Sequence, residues 1–141
     1  MGWGEQFPNI QIPITNIQFM DKQKYNLQNR LVEFSISIIE VAEKLPKSYA
    51  GQHFLKQLIR SGTSPAFQQA EAQSAESRRD FIHKLKIGIK ELRETKVNLT
   101  IISKKFLVDN SIVVDTLNEC DELIAIFYSS IRTVNNKIVN K

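Results

Sequence analysis

Asp80-Phe81-Ile82-His83 sets a carboxylate and an imidazole three residues apart, one helical turn, where both could reach a common metal ion. Di-metal helix bundles use two Glu-x-x-His pairs and one Glu from each of two further helices. Here the pair is single, Asp replaces Glu, and the other histidine, His53, has no carboxylate three residues before it. The ligand set is too small, and no metal or other cofactor is expected. Cys120 stands between Glu119 and Asp121, whose charges oppose thiolate formation, so it reads as a structural thiol. Ser61-Gly62-Thr63-Ser64 is small and polar but follows no strand, as a phosphate loop would. It reads instead as a helix irregularity that lets another backbone approach. With no nucleophile, base and orienting group to combine, the chain is not expected to be an enzyme.

The remaining chemistry is electrostatic. Residues 51–100 carry nine basic and five acidic side chains, whereas 1–50 and 101–141 are each balanced at five and five. At 100° per residue, Arg79, Lys86, Lys90, Arg93 and Lys104 fall within about 60° of one another, with Asp80, Glu91 and Glu94 on a different side. The stripe is about 37 Å long at 1.5 Å per residue, enough to meet several backbone phosphates. Lys86 and Lys90 are like charges four apart, which mildly opposes an isolated helix and which an anionic partner would relieve. Aromatic residues do not interleave with the stripe, so base stacking is not indicated. The plainer reading is a solvated face, or one that pairs with acids of another subunit.

Helices must position this stripe. Leu27, Leu31, Phe34, Ile38, Val41, Ala42 and Leu45 recur every three or four residues and make one buried face, which Pro46 ends. A second run turns Phe54, Leu55, Leu58 and Ile59 inward, and its pattern resumes with Ala66, Phe67 and Ala70 after Ser61–Pro65. Proline inside a helix removes a hydrogen bond, so a kink or break is expected near Gly62–Pro65. Ser77, with Asp80 in the first turn, caps a third helix from about Arg78 to Phe106, whose core face holds Phe81, Leu85, Gly88, Leu92, Leu99 and Phe106. Gly88 there implies a close crossing. After Asp109-Asn110-Ser111 a fourth helix turns Val114, Leu117, Leu123, Ile124, Phe127, Ile131 and Val134 to the core. Short connections make antiparallel neighbours, hence an all-α, up-and-down antiparallel four-helix bundle over 23–138. Residues 1–22, where Ile10, Ile12 and Ile14 alternate with other residues, read as an extended arm or leader.

A chain of 141 residues fits one such domain, and five Gly and four Pro leave little turn punctuation. No run approaches the 18 or so apolar residues of a membrane span. One cysteine and the start Met-Gly-Trp-Gly-Glu, with no basic segment leading into an apolar run, imply a cytoplasmic protein.

Several segments resemble a known family. Leu45-Pro46-Lys47, Gln57-Leu58-Ile59-Arg60-Ser61-Gly62-Thr63-Ser64, Glu71-Ala72, Ser77, Asp80-Phe81-Ile82 and Lys90-Glu91-Leu92-Arg93-Glu94-Thr95 are similar to bacterial four-helix proteins related to those encoded in 23S ribosomal-RNA intervening sequences. The resemblance covers about residues 27–130, with Pro65 and Gln69 departing from its pattern. It implies a bundle that assembles as a ring, typically a pentamer, and no catalytic residues. Some relatives serve the reverse transcriptase of diversity-generating retroelements as accessories that bind the enzyme and nucleic acid. Five copies at +4 would total about +20, a field that attracts polyanions. The expected function is thus a homo-oligomeric adaptor that binds RNA or DNA backbone through Arg79, Lys86, Lys90, Arg93 and Lys104, with a reverse transcriptase or other protein as a further partner. The alternative is a structural or protein-binding scaffold with no nucleic-acid role.

Overall fold

The computed structural model describes residues 26–106 and 110–139; the expected arm at 1–22 and Asp109 lie outside them. The described residues form four helices: α1 (Leu27–Glu43), α2 (Tyr49–Gln73), α3 (Arg78–Lys105) and α4 (Asn110–Val139). Each packs on its sequence neighbour, and α1 also meets α4, which closes an up-and-down four-helix bundle. Helix starts follow local capping chemistry. The Ser48 hydroxyl accepts the Gly51 N–H at 3.1 Å, and the Ser77 hydroxyl accepts the Asp80 N–H at 3.0 Å. Lys104 and Lys105 occupy the last turn of α3, where cations suit the negative end of the helix dipole.

The core is one cluster to which every helix contributes, with Phe34, Leu58, Leu92, Leu99, Leu123 and Phe127 fully or almost fully buried. The expected faces of α1 and α3 bury as read from Leu31 to Leu45 and from Phe81 to Leu99, while Leu27 and Phe106 at their ends are partly buried against the core. Helix α2 differs: it runs unbroken through Gly62 and Pro65, so no break interrupts it. Its core face of Leu58, Ser61, Gly62, Pro65, Ala66, Gln69 and Ala72 keeps one helical phase. Phe67 (65% exposed) and Ala70 therefore face outward, contrary to expectation, because a proline that does not break the helix does not reset its phase. In α4 the phase runs Val113, Thr116, Cys120, Leu123, Phe127, so Val113 is buried and Val114, expected inside, is 49% exposed.

Close packing explains the small residues. A β-carbon at Gly62 would lie 2.7 Å from Ile38 of α1, and one at Gly88 would lie 2.5 Å from the Phe127 ring of α4. Gly62 thus admits a side chain rather than the backbone anticipated. Beside it, the Ser61 hydroxyl lies 3.0 Å from that of Thr95 and accepts from Asn98 Nδ2 at 3.3 Å, a buried polar link between α2 and α3. The Gln69 amide oxygen is buried with no hydrogen-bond partner among the described residues. No described helix is long and apolar enough to cross a membrane.

Candidate nucleic-acid interface

Helix α3 meets α2 on one flank and α4 on the other, which leaves one side to solvent. All five stripe residues, Arg79, Lys86, Lys90, Arg93 and Lys104, are exposed on that side. The acids expected elsewhere are elsewhere: Glu91 is 8% exposed and turned to α2, where Arg60 donates to it at 3.0 Å and to Glu94 at 3.2 Å. Three other cations pair at helix seams, Lys84 with Glu71, Lys96 with Asp121, and Arg30 with Glu119 and Glu122, whereas Lys44, Lys47, Lys56, Arg78, Lys105 and Arg132 have no ion pair among the described residues. Arg79, Lys86, Lys90 and Lys104 have no ion-pair partner among the described residues.

The stripe is not uniform, and sequence reading missed its division. From Arg79 to Lys90 its outward residues are Arg79, His83, Lys86 and Lys90, all polar and exposed. From Arg93 onward, Val97 (59% exposed) and Ile101 (39%) fall in the same sector and alternate with Arg93 and Lys104. An aromatic also enters, from α4. Arg93 lies 5.7 Å from the Tyr128 ring centroid and donates to the Tyr128 hydroxyl at 3.2 Å. Tyr128 is 35 positions away in the chain, so periodicity along α3 alone could not reveal it. Ile89, Val97 and Tyr128 line a shallow groove of about 570 Å³ together with Lys86, Lys90, Arg93 and Glu94.

Cys120 is fully buried, its thiol lies 3.2 Å from the Leu92 carbonyl, and burial pushes its pKa up to about 12. Asp121 and Glu119 add to that shift, and Lys96 only partly opposes it. The thiol is therefore neutral at physiological pH and serves the core. Asp80 and His83 find no further ligand, since the described residues hold no group of three or more His, Cys, Asp or Glu able to bind a metal ion. A second cavity between α1 and α4 has Glu33, Asp115 and Glu119 on its wall, with Arg30 already bound to Glu119.

The comparisons agree with the fold. The family described as "23S rRNA-intervening sequence protein" matches residues 23–129. A crystal structure of a protein of unknown function from the S23 ribosomal protein family of Bacteroides thetaiotaomicron VPI-5482 is 30% identical, with a TM-score of 0.68. The likeness covers 74% of this chain and 96% of that one. No curated protein matches. A match over most of the chain, together with a solved relative of the same four-helix build, places this protein in the 23S rRNA-intervening sequence protein family.

Proposed function

We propose that the protein is a non-enzymatic, homo-oligomeric binding protein that holds nucleic-acid backbone on the cationic half of α3, through Arg79, Lys86 and Lys90, with Arg93 and Lys104 continuing the field. One observation carries the reading: these exposed cations stand in a row, and Arg79, Lys86, Lys90 and Lys104 have no internal counter-charge, while the neighbouring acids are turned away to Arg60. Unpaired cations spaced along a rigid helix suit a polyanion, whose phosphates fix position and carry affinity without reporting sequence. The family description, which refers to an intervening sequence of ribosomal RNA, is consistent with RNA as the polyanion.

The test is a fluorescence-anisotropy titration with RNA and DNA of unrelated sequences at about 50 and 200 mM salt. Three phosphate contacts per protomer would weaken duplex binding roughly 40-fold over that range, at a slope of about −0.9 per contact. Affinity that tracks base sequence, or that ignores salt, contradicts the reading.

The apolar half of the same face favours a second kind of partner, a protein surface, because Val97 and Ile101 give phosphate nothing to bind.

A further inference from the structure

Spacing along α3 gives its cations no aromatic neighbour, and the fold supplies one from α4. Tyr128 is 39% exposed and lines the same shallow groove as Lys86, Lys90 and Arg93. Tyr49 and Phe67 are exposed as well, but of the three only Tyr128 lies in that groove. Val97, 59% exposed, gives the groove apolar surface near the ring. Its acid, Glu94, is already engaged by Arg60 at 3.2 Å, so the free charge there is positive.

Two flat groups meet in this groove. Arg93 donates to the Tyr128 hydroxyl at 3.2 Å, and its guanidinium carbon lies 5.7 Å from the ring centroid. The hydroxyl thus holds in place a long side chain that would otherwise keep its rotamer freedom. Aromatic rings and guanidinium planes are the surfaces on which unstacked bases settle. Lys86 and Lys90, without ion-pair partners, stand about 6 Å apart along the helix at 1.5 Å per residue, where they can take the phosphates beside such a base. Inside a duplex the bases are stacked on one another, so the lysines could hold its backbone but the ring could reach no base face.

We propose that the groove between α3 and α4 takes one unstacked base of a single-stranded nucleic acid, held against Tyr128, Arg93 and Val97 while Lys86 and Lys90 hold the backbone beside it. The inference rests on the phosphate-binding reading above and narrows its ligand from any polyanion to a single strand. Every base has a π-face, so stacking tolerates all of them, and the lack of sequence preference expected above is retained. Free cations beside the ring favour a nucleotide over a protein surface, which would have to bring acids of its own to meet Lys86 and Lys90.

Fluorescence anisotropy of the full chain at about 50 mM salt, where phosphate contacts are strong, compares three DNA probes with equal numbers of phosphates. One is a mixed-sequence single strand without self-pairing, one is the same backbone with a stable abasic analogue at every position, and one is a duplex. The base-bearing strand is expected to bind about 5- to 150-fold tighter than the abasic one, the range for one stacked base. Tyr128→Leu should bring it down to the abasic level, with the abasic strand, the duplex, the salt slope and the helical circular dichroism unchanged. Tyr128→Phe retains a ring and should keep the preference for bases. Equal affinity for the base-bearing and abasic strands overturns the inference and leaves the phosphate reading standing, with the groove free for a protein surface. A Tyr128→Leu chain that still prefers bases overturns it too. Failure of all three probes to bind overturns both readings together. The probe comparison on the unaltered chain needs no variant, so it decides the matter even if Tyr128→Leu does not fold.

Discussion

Gly88→Val and Phe127→Ala are each expected to destabilise the bundle by about 3 kcal/mol, and the double variant by clearly less than their sum. The Phe127 ring is fully buried and lies where a side chain at position 88 would begin, 2.5 Å from the β-carbon position. Valine there must push a ring that has nowhere to go, and its gain in helix propensity over glycine is only about 0.3 kcal/mol, because its β-branch is itself unfavourable in a helix. Removing the ring leaves a cavity, for which Phe→Ala losses of about 3–5 kcal/mol are usual. Valine at 88 grows into that same cavity, so each change relieves part of the other. Urea denaturation of the four proteins checks this, with a coupling of about 2 kcal/mol expected from residues in direct contact. Additive losses would mean that α3 and α4 do not cross closely at Gly88.

Reversing Arg79, Lys86 and Lys90 to glutamate is expected to cut affinity for RNA or DNA at least ~100-fold at about 50 mM salt, with the fold unchanged. Each lost phosphate contact should also flatten the plot of log affinity against log salt, by about 0.9 for a duplex and about 0.7 for a single strand. Three contacts per protomer give a change of about 2.7 or 2.1. Net charge alone would produce some loss, since the summed field attracts polyanions. Lys44→Glu, Lys47→Glu and Lys56→Glu together, all exposed and lying on α2 or in the connection that precedes it, change the charge equally. That control should lose much less and keep its slope. Equal losses in the two variants would mean that overall charge, and no local face, binds the nucleic acid.

Sequence carried most of the fold because each helix advertises its buried side by period. The stripe from Leu31 to Leu45 and the one from Phe81 to Leu99 bury as the periodicity requires, and Ser77 caps where its chemistry says. The errors share a cause. The sequence predicts a kink or break near Gly62–Pro65 and an inward Phe67 and Ala70 beyond it. The helix instead holds its phase, with Thr63 Oγ1 donating to the Ile59 carbonyl at 2.7 Å one turn back, and Pro65 and Gln69 take the core positions. Val113 and Val114 are adjacent and equally apolar, so only the register of Cys120, Leu123 and Phe127 chooses between them.

The candidate site was half legible. Five cations on one side of α3 follow from spacing alone, and all five are exposed. Their freedom from ion pairs was not legible, because it depends on Arg60 of α2 drawing off Glu91 and Glu94 across the bundle. Nor was Tyr128, which reaches Arg93 only because α4 packs beside α3.

The central claim, that Lys86 and Lys90 hold nucleic-acid backbone, is tested most directly by a lysine-acetylation footprint of the full chain with and without a short RNA at about 50 mM salt. Protection by RNA at Lys86 and Lys90, with Lys44 and Lys56 modified equally in both samples, is the expected result. Protection spread evenly over all exposed lysines, or none at Lys86 and Lys90 under conditions where the RNA is bound, would contradict it.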